Sequence, residues 1–158
     1  LHVEQLIRLR KMLLEVTRTI RSISLKEPFI GKLRLLTSVP GIGMITAMTL
    51  LVEIDDIGRF ASADKLASFV GLIPMCHSSG EKEGVGNITI RKHAMLRCLL
   101  IEAAWIAIRK DPAITVAYGE YRKRMNAQKS IVKIARRLVN RIFFVLKYKQ
   151  EYVNLVVK

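Results

Sequence analysis

The sequence predicts a mainly α fold: a helical domain led in by a coiled-coil-like helix, with a short strand-like loop around residues 85–90. Three observations predict it. Apolar residues recur at steps of three and four along most of the chain. Pro, Gly and Asp interrupt these runs at short intervals, as helix boundaries do. Strand-type patterning is confined to Val85–Ile90 and the tail near Tyr152–Val157.

The elements follow in order. Over residues 1–27, Leu6, Leu9, Leu13, Val16, Ile20 and Ile23 form a heptad seam, and Arg8, Arg10, Lys11, Arg18 and Arg21 lie largely off it. Such a seam must bury against its own domain or a partner helix. Pro28 ends it. A short helix is expected over 29–37, then the turn Val39-Pro40-Gly41-Ile42-Gly43, then an apolar helix from Met44 to Ile54. Asp55-Asp56-Ile57-Gly58 reads as a turn. Ser62 is placed to cap a helix over Ala63–Val70, which Gly71 stops. A polar stretch follows, GLIPMCHSSGEKEGVGNITIRKH, residues 71–93. A long helix from His93 to Lys110 carries Leu96, Leu99, Leu100, Ala103, Ala104 and Ile108 on one side, and Trp105 in this apolar helix reads as core. Asp111-Pro112 caps the next helix. The last helix is expected over Ala127–Lys147. The division expected is 1–27 coiled-coil-like helix, 28–148 helical domain, 149–158 tail.

Composition narrows the partners. The chain has 158 residues, enough for one ordinary core, and a net charge of +14. A polyanion is the expected partner: DNA, RNA or an anionic membrane surface. No apolar run approaches the roughly 18 residues of a membrane span, and no signal peptide opens the sequence. A membrane-surface role ranks last, because the basic terminal helix has no Trp on its apolar face. Cys76 and Cys98 do not make a disulfide framework. Their pairing with His77 and His93 as a zinc site lacks the usual short ligand spacing, so two reduced thiols, at least one in the core, are expected. The chain begins with Leu rather than Met, which reads as a piece of a longer protein.

Three constellations carry possible chemistry. In LTSVPGIGMITA, Gly41, Ile42 and Gly43 join two apolar helices as in a helix-hairpin-helix motif. The glycines permit close backbone approach, and the free N–H groups of the second helix can hold a phosphate oxygen. A plain tight turn is the alternative. Between Gly119 and Gln150 there are ten basic residues and one acid. Lys129, Lys133, Arg136, Arg137 and Arg141 share one helical face, opposite Ile131, Ile134, Ala135, Leu138, Ile142 and Val145. A face without acids implies a nucleic-acid contact with salt-sensitive affinity. Finally, Ser78-Ser79-Gly80 lies in a polar loop with Lys82, Arg91 and Lys92, and Arg97 follows in the next helix. A serine hydroxyl becomes a nucleophile only when its proton is removed or its alkoxide is stabilised. His77, Glu81 and Glu83 are near in sequence, and the cations suit a phosphate.

Taken in order, LLTSVPGIGMITAMTLLVEI, DIGRFASADKLASFVGLIP, the SSGEK loop, the Ile-Thr-Ile-Arg run, LRCLLIEAAWIAIRKDPA and the basic last helix resemble the C-terminal transposase domain of the Piv/MooV-like insertion-sequence transposases over roughly residues 30–146. That resemblance implies a DNA-recombining protein of the bacterial cytoplasm and nucleoid, often homo-oligomeric, in some members working with a guide (bridge) RNA. It implies a separate DEDD domain that binds a divalent metal, Mg²⁺, while this domain needs no cofactor and supplies a serine nucleophile. Ser79 matches that serine, with the adjacent Ser78 as competitor. Two departures stand out. The four metal-binding acids are absent, so this chain alone is not expected to cut DNA. Where members often carry Arg-Gly-Asn, this sequence has Arg91-Lys92-His93-Ala94. A non-enzymatic helix-hairpin-helix DNA-binding module is the rival reading.

Overall fold

The structure, a computed structural model, describes residues 2–79, 82–88 and 93–153. It is mainly helical. The elements are α1 (His2–Ser24), α2 (Ile30–Thr37), α3 (Met44–Ile54), a 3-10 turn (Ile57–Arg59), α4 (Ala63–Val70), strands β1 (Pro74–Ser79) and β2 (Lys82–Ile88), α5 (Ala94–Lys110), α6 (Pro112–Arg122) and α7 (Ala127–Tyr148).

Local chemistry sets most boundaries. Ser62 Oγ accepts the Lys65 N–H at 3.3 Å to open α4, and Gly71 closes it in the left-handed conformation at φ 84°. Asp111 Oδ1 accepts the N–H groups of Ala113 and Ile114, with Pro112 in the first turn of α6. Asn126 Oδ1 accepts the Lys129 N–H at 2.9 Å and opens α7. Helix α1 stops at Ser24, three residues short of the expected 27, where the Ser24 hydroxyl donates to the Arg21 carbonyl.

Helix α7 is the central element and packs on α2, α4, α5 and α6. Its inner face, Ile131, Ile134, Ala135, Leu138, Ile142 and Val145, is buried as its periodicity predicts. Helix α5 buries Leu96, Leu100, Ala103, Ala104 and Ala107. These alanines leave room for another backbone to approach. Gly41, at φ 92°, takes that room: a methyl group on it would run into the Ala103 carbonyl oxygen.

One expectation changes and others are extended. Trp105 is not core: it is 39% exposed and meets Tyr118 edge to face at 5.9 Å. The buried side of α5 is the expected one, carrying Leu96, Leu100, Ala103 and Ala104, and Trp105 lies off it. The strand-like loop is one half of an antiparallel hairpin whose other half, β1, had no strand signal of its own. The tail is irregular over 151–153, and residues 154–158 lie outside the described residues. Of the α1 seam, Leu6, Leu9, Leu13, Val16 and Ile23 are exposed; only Ile20 packs partly against the core. No described helix is long and apolar enough to cross a membrane.

Candidate nucleic-acid interface and serine hairpin

The serine stretch leaves the helical body between α4 and α5. Its first root is fixed by the Gly71 cap and by Leu72, which is fully buried. Its second root is His93. That ring lies 4.2 Å from the Phe69 ring, and its Nδ1 is 3.5 Å from Glu53 Oε2. Phe69 also meets Phe60, and the Arg59 guanidinium lies over both rings. The stretch 71–93 therefore leaves the body from α4 and rejoins it at His93, on an aromatic-lined corner that includes Phe69 of α4.

Within the hairpin the backbone register pairs Ser79 with Lys82 and Ser78 with Glu83. Ser79 thus ends β1 at the tip, and Lys82 begins β2 beside it. Gly80, Glu81, Arg91 and Lys92 lie outside the described residues. Arg97 stands half-buried in the first turn of α5, its backbone N–H donating to the His93 carbonyl. Cys98 is an exposed free thiol. Among the described residues no group of three or more His, Cys, Asp or Glu side chains is placed to hold a metal ion.

The basic face of α7 divides in two. Lys129, Lys133 and Arg137 are exposed. Arg136 Nη2 donates to Asp64 Oδ1 of α4 at 2.8 Å, an exposed pair of modest strength. Arg141 does not belong to the exposed set. Its side chain is 17% exposed, and Nη1 donates to Asp111 Oδ2 on a fully buried carboxylate. The Tyr152 hydroxyl donates to the same oxygen at 3.0 Å, and the Arg141 guanidinium lies over the Tyr152 ring at 4.3 Å. Burial raises the Asp111 pKa, but hydrogen bonds from Arg141 and Tyr152, the Arg141 charge and the Ile114 N–H outweigh it and hold the carboxyl below its usual range. Burial, then the hydrogen bond to Asp111, raises Tyr152. The face looked free of acids because its acids come from α4 and from the α5–α6 junction.

Sequence reasoning did not single out Tyr121 or Asn140. The Lys133 Nζ and Arg137 Cζ lie 5.2 and 5.6 Å from the Tyr121 ring centroid. The only sequence signal was an aromatic interleaved among the cations of residues 119–150.

At the α2–α3 turn the three predicted residues part company. Gly41 is packed on α5, and the Ile42 side chain is core at 5% exposure, so neither presents a side chain outward. Gly43 caps α3 with open space beside it. The first N–H groups of α3 have no intrahelical acceptor. A concavity of about 530 Å³ lies here, bounded by Thr37, Val39, Pro40, Gly43, Ile106 and Lys110.

Residues 33–119, from α2 to most of α6, match the family described as Transposase IS116/IS110/IS902. The match encloses the α2–α3 turn and the serine hairpin. The chain is 42% identical over 72 residues to the transposase for insertion sequence element IS1111A of Coxiella burnetii, covering 46% of this chain and 20% of that protein. It is 31% identical over 113 residues to the insertion element IS110 43.6 kDa protein of Streptomyces coelicolor, covering 71% and 28%. It is 30% identical over 129 residues to the pilin gene-inverting protein of Moraxella bovis, covering 75% and 38%. The chain thus spans well under half the length of these relatives. The family match over more than half its residues, taking in the α2–α3 turn and the serine hairpin, shows that this chain belongs to the IS116/IS110/IS902 transposase family.

Proposed function

We propose that this chain is the C-terminal, DNA-binding and serine-supplying domain of a Piv/MooV-like transposase. One observation carries the reading. The Ser78-Ser79 hairpin lies inside the family match and is rooted between α4 and α5, and the cation-rich α7 packs on both of those helices. A backbone gripped by α7 is thereby brought to the element pair between which the serine hairpin is rooted.

In this proposal the Ser79 Oγ attacks a DNA phosphorus. The serine proton passes to a base, the bond from phosphorus to the 3′-oxygen breaks, and that oxygen leaves and is protonated. Ser78 is the competing nucleophile. Lys82, Arg91, Lys92 and Arg97 hold the phosphate region, and Lys129, Lys133, Arg136 and Arg137 hold the flanking backbone. Gly43 and the open start of α3 give a further phosphate contact of helix-hairpin-helix type, with Gly41 and Ile42 shaping the turn. In this reading the divalent ion is held by a DEDD domain elsewhere in the protein. A guide RNA is a further partner in this reading. The exposed α1 seam pairs with a second copy as a coiled coil.

The open start of α3 also favours a second reading, a DNA-gripping module without chemistry. Recombination separates the two. The full-length protein is mixed with its element-end DNA and Mg²⁺, with Ser78→Ala and Ser79→Ala in parallel. The proposal expects Ser79→Ala to abolish joined product while Ser78→Ala retains it. Unimpaired recombination by Ser79→Ala sinks the assignment.

A further inference from the structure

Between the end of α6 and the middle of α7 lies a second concavity, of about 400 Å³. Leu72, Tyr121, Lys133, Arg136, Arg137 and Asn140 line it. Three of the lining residues are cationic and none is acidic. Arg136 is already matched by Asp64. Lys133 and Arg137 make no ion pair among the described residues. Instead both cation heads lie against the Tyr121 ring. A ring beside two cations holds long, flexible side chains in place by cation–π attraction. It also reduces the entropy that a Lys or Arg loses on binding an anion.

We propose that this concavity is a phosphate pocket for the DNA backbone, with Lys133 and Arg137 as its ligands and Tyr121 as the residue that positions them. The inference rests on the reading above that the chain binds DNA. The Tyr121 ring is engaged by cations, so the pocket does not present a stacking platform for a base. What it lacks is negative charge, and a phosphodiester supplies that. The Arg137 guanidinium suits two phosphate oxygens, Lys133 acts as a point charge, and the Asn140 amide offers a neutral donor. The pocket also has a place relative to the chemistry. Leu72, in its wall, is two residues from the start of β1 and seven from Ser79. A fully extended chain of that length reaches at most about 25 Å. The Ser79 backbone therefore lies within about 25 Å of this wall of the pocket.

The test titrates the 158-residue chain with a short fluorescein-labelled DNA duplex across a salt series, beside an RNA of the same sequence. Lys133→Gln and Arg137→Gln remove exposed charges. Lys147→Gln removes the same charge elsewhere on α7. Each pocket variant is expected to weaken DNA binding by roughly three- to tenfold and to lower the salt slope by about one. Lys147→Gln should stay within about twofold of the parent. Tyr121→Phe should match the parent, and Tyr121→Leu should match Arg137→Gln, with circular dichroism confirming an intact fold. If the parent binds DNA and the pocket variants behave like Lys147→Gln, the pocket is overturned and the DNA reading stands. If the parent binds no DNA, both fall. Losses confined to RNA overturn the assignment to DNA, and parental affinity in Tyr121→Leu overturns the positioning role.

Discussion

A methyl group at Gly41 meets the α5 backbone and also requires a left-handed conformation that L residues rarely adopt. Gly41→Ala is therefore expected to cost roughly 2–4 kcal/mol, from overpacking plus backbone strain; urea unfolding checks it. Gly43→Ala, with open space, should cost under about 1 kcal/mol by the same measurement. Asp111 is the other residue on which the structure turns. It caps α6 with one oxygen and takes Arg141 and Tyr152 with the other, while the Tyr152 N–H donates to Ser38 Oγ at 2.8 Å. Asp111→Ala leaves Arg141 without its buried partner and should cost about 3–5 kcal/mol. The pH dependence has a definite sign. The folded carboxyl titrates below its ordinary value of 3.8, so its stabilisation is full above that value and drains as pH falls through the folded pKa. Acid unfolding should begin below about pH 4, and its slope should be shallower in Asp111→Asn.

Among the elements, α7 shows how far a single helix can be read. Its apolar face was legible because a core stripe depends only on spacing within the helix. Its charged face was legible in outline and wrong at Arg141, because the partner carboxylate lies thirty residues away in sequence and Asp64 lies 72 from Arg136. The caps at Ser62, Gly71 and Asp111 were legible for the opposite reason: each acts within four residues. Strand β1 was not legible, since its Pro, Cys and Ser residues gain strand geometry from pairing with β2. Helix α1 presents Leu9 and Leu13 at 62% and 67% exposure. Leu9→Glu with Leu13→Glu should leave the melting temperature of the helical body unchanged and convert an oligomer to a monomer in light scattering. A parent that is already monomeric at high concentration contradicts the pairing of α1.

At the scale of the whole molecule, the order of parts carried the family: turn, apolar helix, serine stretch, alanine-rich helix, capped corner and basic helix. What the sequence left unread was how the parts close on one another. The two roots of the serine hairpin meet at Phe69, Glu53 and His93, three residues from α3, α4 and the start of α5. The Tyr121 pocket likewise needs two helices at once. Both lie beside α7 or the helices it packs on, so the proposed grip and the proposed chemistry share one helical body. The measurement that tests this most directly is mass spectrometry of the covalent adduct. The full-length protein is reacted with element-end DNA and Mg²⁺, denatured, and digested with nuclease and trypsin. A phosphonucleotide on Ser79 of the tryptic peptide 66–82 is the predicted result. An adduct on any residue outside the Ser78-Ser79 pair, or recombination with no adduct at all, would contradict the account.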